Sequence, residues 1–190
     1  ASMVIFVNKT YSETGQVKLQ TPDWRDEPTV EFNLLSDVRD LERLKDSVRR
    51  MAAIYAMPAL QAATSDPFPA SYSDKVRQVG EVNSKNKFLT TVMAKLLDGP
   101  DGLRRFLMNK LILEDFTLPQ LLEDDDAMET FVRKAAVGVW HASCSCRMGA
   151  ENDPKAVTNN AGRVKDIDGL RVCDASIFPV VPCANTNIPV

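Results

Sequence analysis

No run in this 190-residue chain approaches the roughly 18–20 consecutive apolar residues that a membrane span requires. Ala1 to Asn8 carry an apolar patch without a basic n-region or a cleavage-type segment, so they read as a chain entered in mid-strand rather than as a signal peptide. Internal repeats and low-complexity tracts are missing, and no Gly-x-Gly-x-x-Gly follows a strand-like run, so the dinucleotide-binding fingerprint is absent. Positive charge is not in excess: the formal net charge is −3 and the pI near 5.3, which argues against nucleic acid or an anionic membrane as the main partner. Histidine occurs once, at position 141.

Cysteine is scarce and unevenly placed. Cys144, Cys146, Cys173 and Cys183 all fall in the last quarter, which is not the distribution of a disulfide-stapled secreted domain. Cys144 and Cys146 are too close for an easy mutual bridge. Reduced thiols in a cytoplasmic protein are expected, with Cys144 and Cys146 as small buried hydrophobes. A rival reading joins His141, Cys144, Cys146 and either Cys173 or Cys183 into a zinc site, although Cys-x-Cys is not the usual two-to-four-residue spacing.

What is present describes a globular chain. A hydrophobic fraction of 44% and a charged fraction of 26% over this length suffice for one sizeable domain with a core. Three β-type runs open it, at Met3–Val7, Gln16–Gln20 and Thr29–Leu35, the first two joined as a hairpin and the set forming a half-buried antiparallel sheet. Ser36 offers an N-cap hydroxyl before Asp37, and Leu41, Leu44, Val48, Met51, Ala52 and Tyr55 recur at helical spacing. The spacing predicts a helix from Asp37 to Met57, ended by Pro58, with its Lys and Arg residues on a solvated face.

Thr64 to Gly80 read as an exposed loop, suited to shaping access to a site. Helical patterns follow at Lys85–Leu97, Gly102–Leu113 and Asp125–Ala135. The acidic run Glu123–Asp126 sits where carboxylates favour a helix N-terminus, and it lacks the ligand alternation of a calcium loop. Val137–Trp140 and Leu170–Cys173 read as short strands, the second buried, with a polar turn region at Val157–Val164 between them. Strands, then helices, then strands give an α+β class, an antiparallel sheet covered by helices.

By itself a lone histidine beside a tryptophan is more often structural than catalytic. The small residues Ala142 and Ser143 after it leave room for a ligand near the backbone, and imidazole is the side chain best suited to take a proton near neutral pH.

A larger pattern surrounds it. Trp140-His141-Ala142-Ser143-Cys144-Ser145-Cys146-Arg147-Met148-Gly149, then Gly162-Arg163-Val164, then Gly169-Leu170-Arg171-Val172-Cys173-Asp174-Ala175-Ser176 and Asn185-Thr186-Asn187 resemble the C-terminal signature of the glucose-methanol-choline (GMC) flavin oxidoreductases. Thr14–Leu19, Asp23, Pro28, and Asn33–Asp37 with Asp40 resemble earlier parts of the same region; the likeness is loose between Gln61 and Asp125. Asn159 stands where the family commonly has Asp, in a local turn.

The resemblance implies a fold, a cofactor and roles. His141 falls at the family's catalytic histidine, a general base for alcohol oxidation by hydride transfer to the N5 of FAD. Asn185, 44 residues on, falls at the second catalytic position and would hydrogen-bond the substrate oxygen. Asp174 and Ala175 fall where backbone groups approach the FAD diphosphate and ribityl, and Thr186 and Asn187 at a helix start facing the flavin pyrimidine edge. No metal is implied.

On this reading residues 1–136 are a substrate-binding domain and 137–190 a catalytic segment, stopping before the family's closing helix. The Rossmann-type FAD half would be supplied by the rest of a longer enzyme, with a small alcohol as the other partner, and the chain alone would be inactive. The competing class is a non-catalytic interaction or scaffold domain that keeps the fold.

Overall fold

The computed structural model describes residues 3–7, 9–70, 78–112, 115–138 and 141–187. It is a mixed α+β structure that divides into two compact units, one of residues 1–5 and 41–136, the other of residues 6–40 and 137–190. Residues 6–40 therefore group with residues 137–190 and not with the helices that follow them in sequence.

The helical unit is built from capped, amphipathic segments. Helix α1, Val38–Tyr55, passes the unit boundary and gives this unit Leu41, which is 2% exposed. Its start is set by Asp37, whose Oδ1 accepts the Arg39 N–H at 2.9 Å; Ser36, the expected cap, instead hydrogen-bonds Ser12 and Thr14. Pro58 does not simply end α1 but opens the short α2, Pro58–Gln61, because its fixed φ suits a first helical position. The segment Thr64–Gly80 is irregular and mostly exposed over 64–70 and helical over 78–80; residues 71–77 lie outside the described set.

Helix α3, Ser84–Leu97, is capped by Asn83, whose side chain accepts the Asn86 N–H. It packs on α4, Asp101–Leu107, which continues into one π-type turn at Met108–Ile112, so the helix expected over Gly102–Leu113 changes pitch midway. Helix α5, Leu118–Glu123, packs on α6, Asp125–Ala135. Asp124 caps α6 by accepting the N–H groups of Asp126 and Ala127, which explains part of the acidic run. Leu41, Leu121 and Met128 are almost fully buried here.

The solvated face expected along α1 is interrupted at Lys45. Its side chain is 3% exposed, and its ammonium donates to Asp125 at 2.5 Å and Glu42 at 3.1 Å. Two carboxylates satisfy it, which is how a lysine survives burial. Arg49 shares Asp125 at 2.6 Å.

In the other unit, strands β1, Gln16–Lys18, and β2, Thr29–Glu31, pair antiparallel with Val17 opposite Val30. The expected strand Met3–Val7 does not form, so the hairpin partner of β1 is β2 rather than Met3–Val7. Nor is the sheet half buried: Val17 is 53% and Val30 45% exposed, since a two-stranded ribbon of three pairs presents too little apolar area to close a face. The expected buried strand Leu170–Cys173 is reduced to one bridge, Arg163 to Arg171, with Leu170 48% exposed. Val137 and Gly138 are not in a strand, and residues 139 and 140 lie outside the described set.

Asp40 organises the start of this unit. It is 2% exposed and accepts the Tyr11 N–H at 2.9 and 3.0 Å and the Ser12 N–H at 3.1 Å. Arg39 stacks over the Tyr11 ring at 4.0 Å.

Candidate active site

The segment from 141 to 187 holds little regular secondary structure, yet loop hydrogen bonds stitch it together. Every second N–H from Cys144 to Met148 reaches one of three consecutive carbonyls: Cys144 to Ala175 at 3.2 Å, Cys146 to Ser176 at 2.9 Å and Met148 to Ile177 at 2.8 Å. Those carbonyls belong to a 3₁₀ turn, Ala175–Ile177, and carbonyls in a helical turn all point the same way. Asp174 caps that turn through its Oδ1, which accepts the Ser176 N–H at 2.8 Å. Hydrogen bonding from the Ser176 side chain, and then from this N–H, holds the Asp174 carboxyl below the usual carboxylate range.

The motif residues between these two stretches form a second knot. Thr158 is fully buried, bridges to both Met148 and Val164, and donates its hydroxyl to the Cys146 carbonyl at 3.1 Å. Gly149 has no room for a side chain: a Cβ there would lie 2.7 Å from the Ala156 Cβ and 2.9 Å from Asp153. Gly162 turns at φ +70°, with the Val172 carbonyl oxygen 2.8 Å from where its Cβ would be. Arg147 pairs with Asp153 at 2.8 Å. The Asp153 carboxyl is held low first by the Lys155 N–H and then by the Arg147 charge.

Asn159 holds its turn through its side-chain oxygen. Its Oδ1 accepts the N–H groups of Ala161 at 2.9 Å and Arg163 at 3.1 Å, bonds that an amide oxygen makes as a carboxylate oxygen would.

His141 is exposed, and its Nδ1 lies 2.8 Å from the Oγ1 of Thr186, a residue only 7% exposed. Among the described residues, the Nε2 edge has no hydrogen-bond partner. Asn185 precedes Thr186 and is exposed; its Oδ1 accepts the Asn187 N–H at 2.9 Å, a helix-capping type of bond that leaves Nδ2 as a donor. Chain folding therefore brings Thr186 onto His141, and Asn185 and Asn187 flank Thr186 in sequence. Asp174 and Ala175 sit in the turn that anchors the Cys144–Met148 backbone.

The contact between the Thr186 side chain and His141 is not among the sequence expectations, which give residue 186 a cofactor-facing role. A hydroxyl adjoining the second catalytic position is the signal that could have suggested it. All four cysteines are free thiols, Cys144 and Cys146 half buried and Cys173 and Cys183 exposed. Cys144 has φ +69°, uncommon for a residue with a Cβ. Among the described residues no three His, Cys, Asp or Glu side chains come together in a metal-binding group.

The helical unit carries an open, mainly apolar cavity of about 870 Å³, bounded by residues such as Tyr55, Phe68, Met108 and Leu118. Asp66, at its edge, is paired with Arg104 at 2.8 Å and Arg105 at 3.0 Å, which ties the 64–70 segment to α4. Among the described residues no helix is long and apolar enough to cross a membrane.

Comparison with known proteins agrees with the motif pattern. A family model described as GMC oxidoreductase matches residues 10–190. The chain is 40% identical over 189 residues to 5-(hydroxymethyl)furfural oxidase of Methylovorus sp. (strain MP688), covering all of this chain and 29% of that protein. It is 29% identical over 182 residues to oxygen-dependent choline dehydrogenase of Photobacterium profundum, covering 96% of this chain and 23% of that protein. The corresponding enzyme of Burkholderia pseudomallei (strain 1710b) is 31% identical over 175 residues, or 92% of this chain and 22% of the relative. The chain thus spans less than a third of the length of these relatives.

Proposed function

The chain belongs to the GMC oxidoreductase family, and we propose on that footing that it is the substrate-binding and catalytic region of an FAD-dependent enzyme that oxidises the CH–OH group of an alcohol. The observation that carries this reading is the disposition of His141: exposed, anchored through Nδ1 to Thr186, with Nε2 unpartnered among the described residues. An imidazole nitrogen so disposed can accept a hydroxyl proton, given the Nδ1–H tautomer.

Asn185 complements it. Its Oδ1 is engaged by the Asn187 N–H, so the side chain offers its amide N–H to an oxygen without competing for the proton. The alcohol oxygen would lie between the Asn185 Nδ2 and the His141 Nε2. Holding the carbinol in one orientation is the main contribution such a pair makes besides proton transfer.

The donor set suits FAD. Among the described residues, the N–H groups of Asp174 and Ala175 meet no acceptor, and unpartnered backbone N–H groups match a diphosphate. FAD, when bound, would supply the two-electron acceptor for the carbinol hydride. Asp174 and Ala175 would hold it through backbone groups, while the 186–187 pair would offer the Thr186 amide and the Asn187 side chain, since the Asn187 N–H is already engaged. Residues 137–190 act as the catalytic segment and residues 1–136 as the substrate domain, working with an FAD-binding half of the same enzyme.

The test is an FAD titration of this chain, alone and mixed with protein from the remainder of the full-length sequence, followed by flavin bleaching with 5-(hydroxymethyl)furfural and with choline. Binding and bleaching only in the mixture support the reading. No flavin binding in either sample, with the chain folded, favours a scaffold role. Stoichiometric binding by the chain alone contradicts the dependence on a second half.

A further inference from the structure

We propose that Thr186 is a positioning residue that fixes the tautomer of His141. Its hydroxyl oxygen accepts the Nδ1–H of the imidazole and leaves Nε2 unprotonated as the proton acceptor. The inference rests on the reading of His141 as general base and extends it to a side chain that the family motif placed toward the cofactor.

Two observations carry it. The Oγ1 to Nδ1 distance is 2.8 Å, full hydrogen-bond contact, between residues 45 apart in sequence. Thr186 is 7% exposed while His141 is exposed, so the buried partner is the anchor and the ring is the part it holds. The anchor is itself braced, because Asn185 and Asn187 on either side are joined by the 2.9 Å bond from the Asn187 N–H to Asn185 Oδ1. Among the described residues no other hydrogen bond reaches the His141 ring.

A neutral imidazole has one N–H and one acceptor nitrogen, and the partner of one nitrogen decides the state of the other. With Nδ1–H donating to Thr186, Nε2 can take a proton. When it does, Nδ1 remains a donor and the same bond persists, so the ring need not rotate between the two halves of the proton transfer. The reverse polarity, with the threonine O–H donating to Nδ1, would place the ring proton on Nε2 and block it. A hydroxyl oxygen serves this purpose without adding a charge to the site.

The experiment uses the FAD-loaded full-length enzyme with Thr186→Val, which keeps the shape and removes the hydroxyl, and Thr186→Ser, which restores it. The limiting rate of flavin reduction, the half-saturating alcohol concentration and the FAD content are measured. Long-range ¹⁵N spectra report the His141 ring, identified by its disappearance in His141→Gln. Thr186→Val is expected to slow reduction about 10- to 100-fold, with half-saturation and FAD content within about threefold of wild type. Thr186→Ser should return to within about threefold of the wild-type rate, and the wild-type ring should carry its proton on Nδ1.

A wild-type rate in Thr186→Val overturns the inference. So does a wild-type ring protonated on Nε2, or a Thr186→Ser enzyme as slow as the valine variant. If Thr186→Val fails to fold or to hold FAD, the serine variant and the wild-type spectrum still decide. His141→Gln separates the two levels: an unimpaired His141→Gln enzyme removes the general-base reading itself, whereas a slow one beside a fast Thr186→Val removes only the role of Thr186.

Discussion

The ammonium of Lys45, on α1, donates to the carboxylate of Asp125, at the start of α6, over a separation of 80 residues and at 2.5 Å. This contact joins the two ends of the helical unit, and it is served from a lysine side chain only 3% exposed. Asp125→Asn leaves that ammonium with Glu42 as its carboxylate partner, whereas Lys45→Met removes the buried charge and leaves Asp125 its bond to Arg49. Asp125→Asn should therefore be the more damaging, lowering the thermal midpoint by about 3–8 °C, because it takes a carboxylate from a buried ammonium, whereas an apolar side chain at position 45 needs none. Thermal unfolding followed by circular dichroism checks this; a larger loss in Lys45→Met would contradict it.

Several carboxyls are more acidic in the folded chain than usual. Asp37 is lowered to about 2, chiefly by its hydrogen bond from the Arg39 side chain. Asp66 is lowered first by Arg104, and Asp125 first by Lys45. A group depressed on folding binds protons more readily when unfolded, so its contribution is present above the unfolded value and is lost as pH falls through the folded one. Stability should be nearly level from about pH 7 to 5 and decline from about pH 4 toward 2. Asp37→Asn should flatten that decline. Urea titrations across this range test it, and a stability maximum near about pH 3 would count against the assignment.

Gly162 ends a turn from Asn159, whose carbonyl accepts its N–H at 2.9 Å, and directly precedes the Arg163 to Arg171 bridge. Gly162→Ala introduces a Cβ at φ +70° and 2.8 Å from the Val172 carbonyl oxygen, which is backbone and cannot easily retreat. The expected cost is about 1–3 kcal/mol. Chemical denaturation measures it; an unchanged midpoint would mean that the loop relaxes freely.

Thr158→Val keeps shape but removes the hydroxyl that donates to the Cys146 carbonyl. Thr158 is fully buried, and a carbonyl deprived of its donor there should cost about 1–3 kcal/mol. Faster amide exchange is expected at Cys146 and Met148, whose N–H groups bond the 3₁₀ turn. Unaltered exchange there would separate Thr158 from the stability of this knot.

How far the chain could be read in advance depended on what kind of signal each part carries. Helix α6 was legible at both ends, Asp125–Ala135, because an acidic cap precedes a 3.6-residue apolar period and the two agree. The partner of β1 was not, since alternation marks a strand without naming what it pairs with, and Met3–Val7 offered as good a pattern as Thr29–Glu31. Lys45 looked like part of a solvated face because periodicity does not know that Asp125 arrives from 80 residues away. The short α5 is too brief to show a period. Its signal was the capping-box spacing from Thr117 to Gln120, where Gln120 Oε1 accepts the Thr117 N–H.

In the candidate site the motif residues were legible and their mutual contacts were not. Gly149 and Gly162 stood out as part of a pattern, and only the folded chain gives the reasons, a crowded Cβ position and a positive φ. The bonds from Cys144, Cys146 and Met148 to the Ala175–Ile177 carbonyls join two recognisable strings through backbone atoms, which no side-chain pattern encodes. The contact of Thr186 with His141 is between side chains, but it joins positions 45 residues apart, and spacing along the chain does not say which of them meet.

Whether His141 takes the alcohol proton is read from the anaerobic rate of flavin bleaching in the full-length enzyme with His141→Gln. A loss of about 10²- to 10⁴-fold is expected at saturating alcohol with FAD content unchanged. Bleaching at the wild-type rate in that variant, with flavin bound, would contradict it.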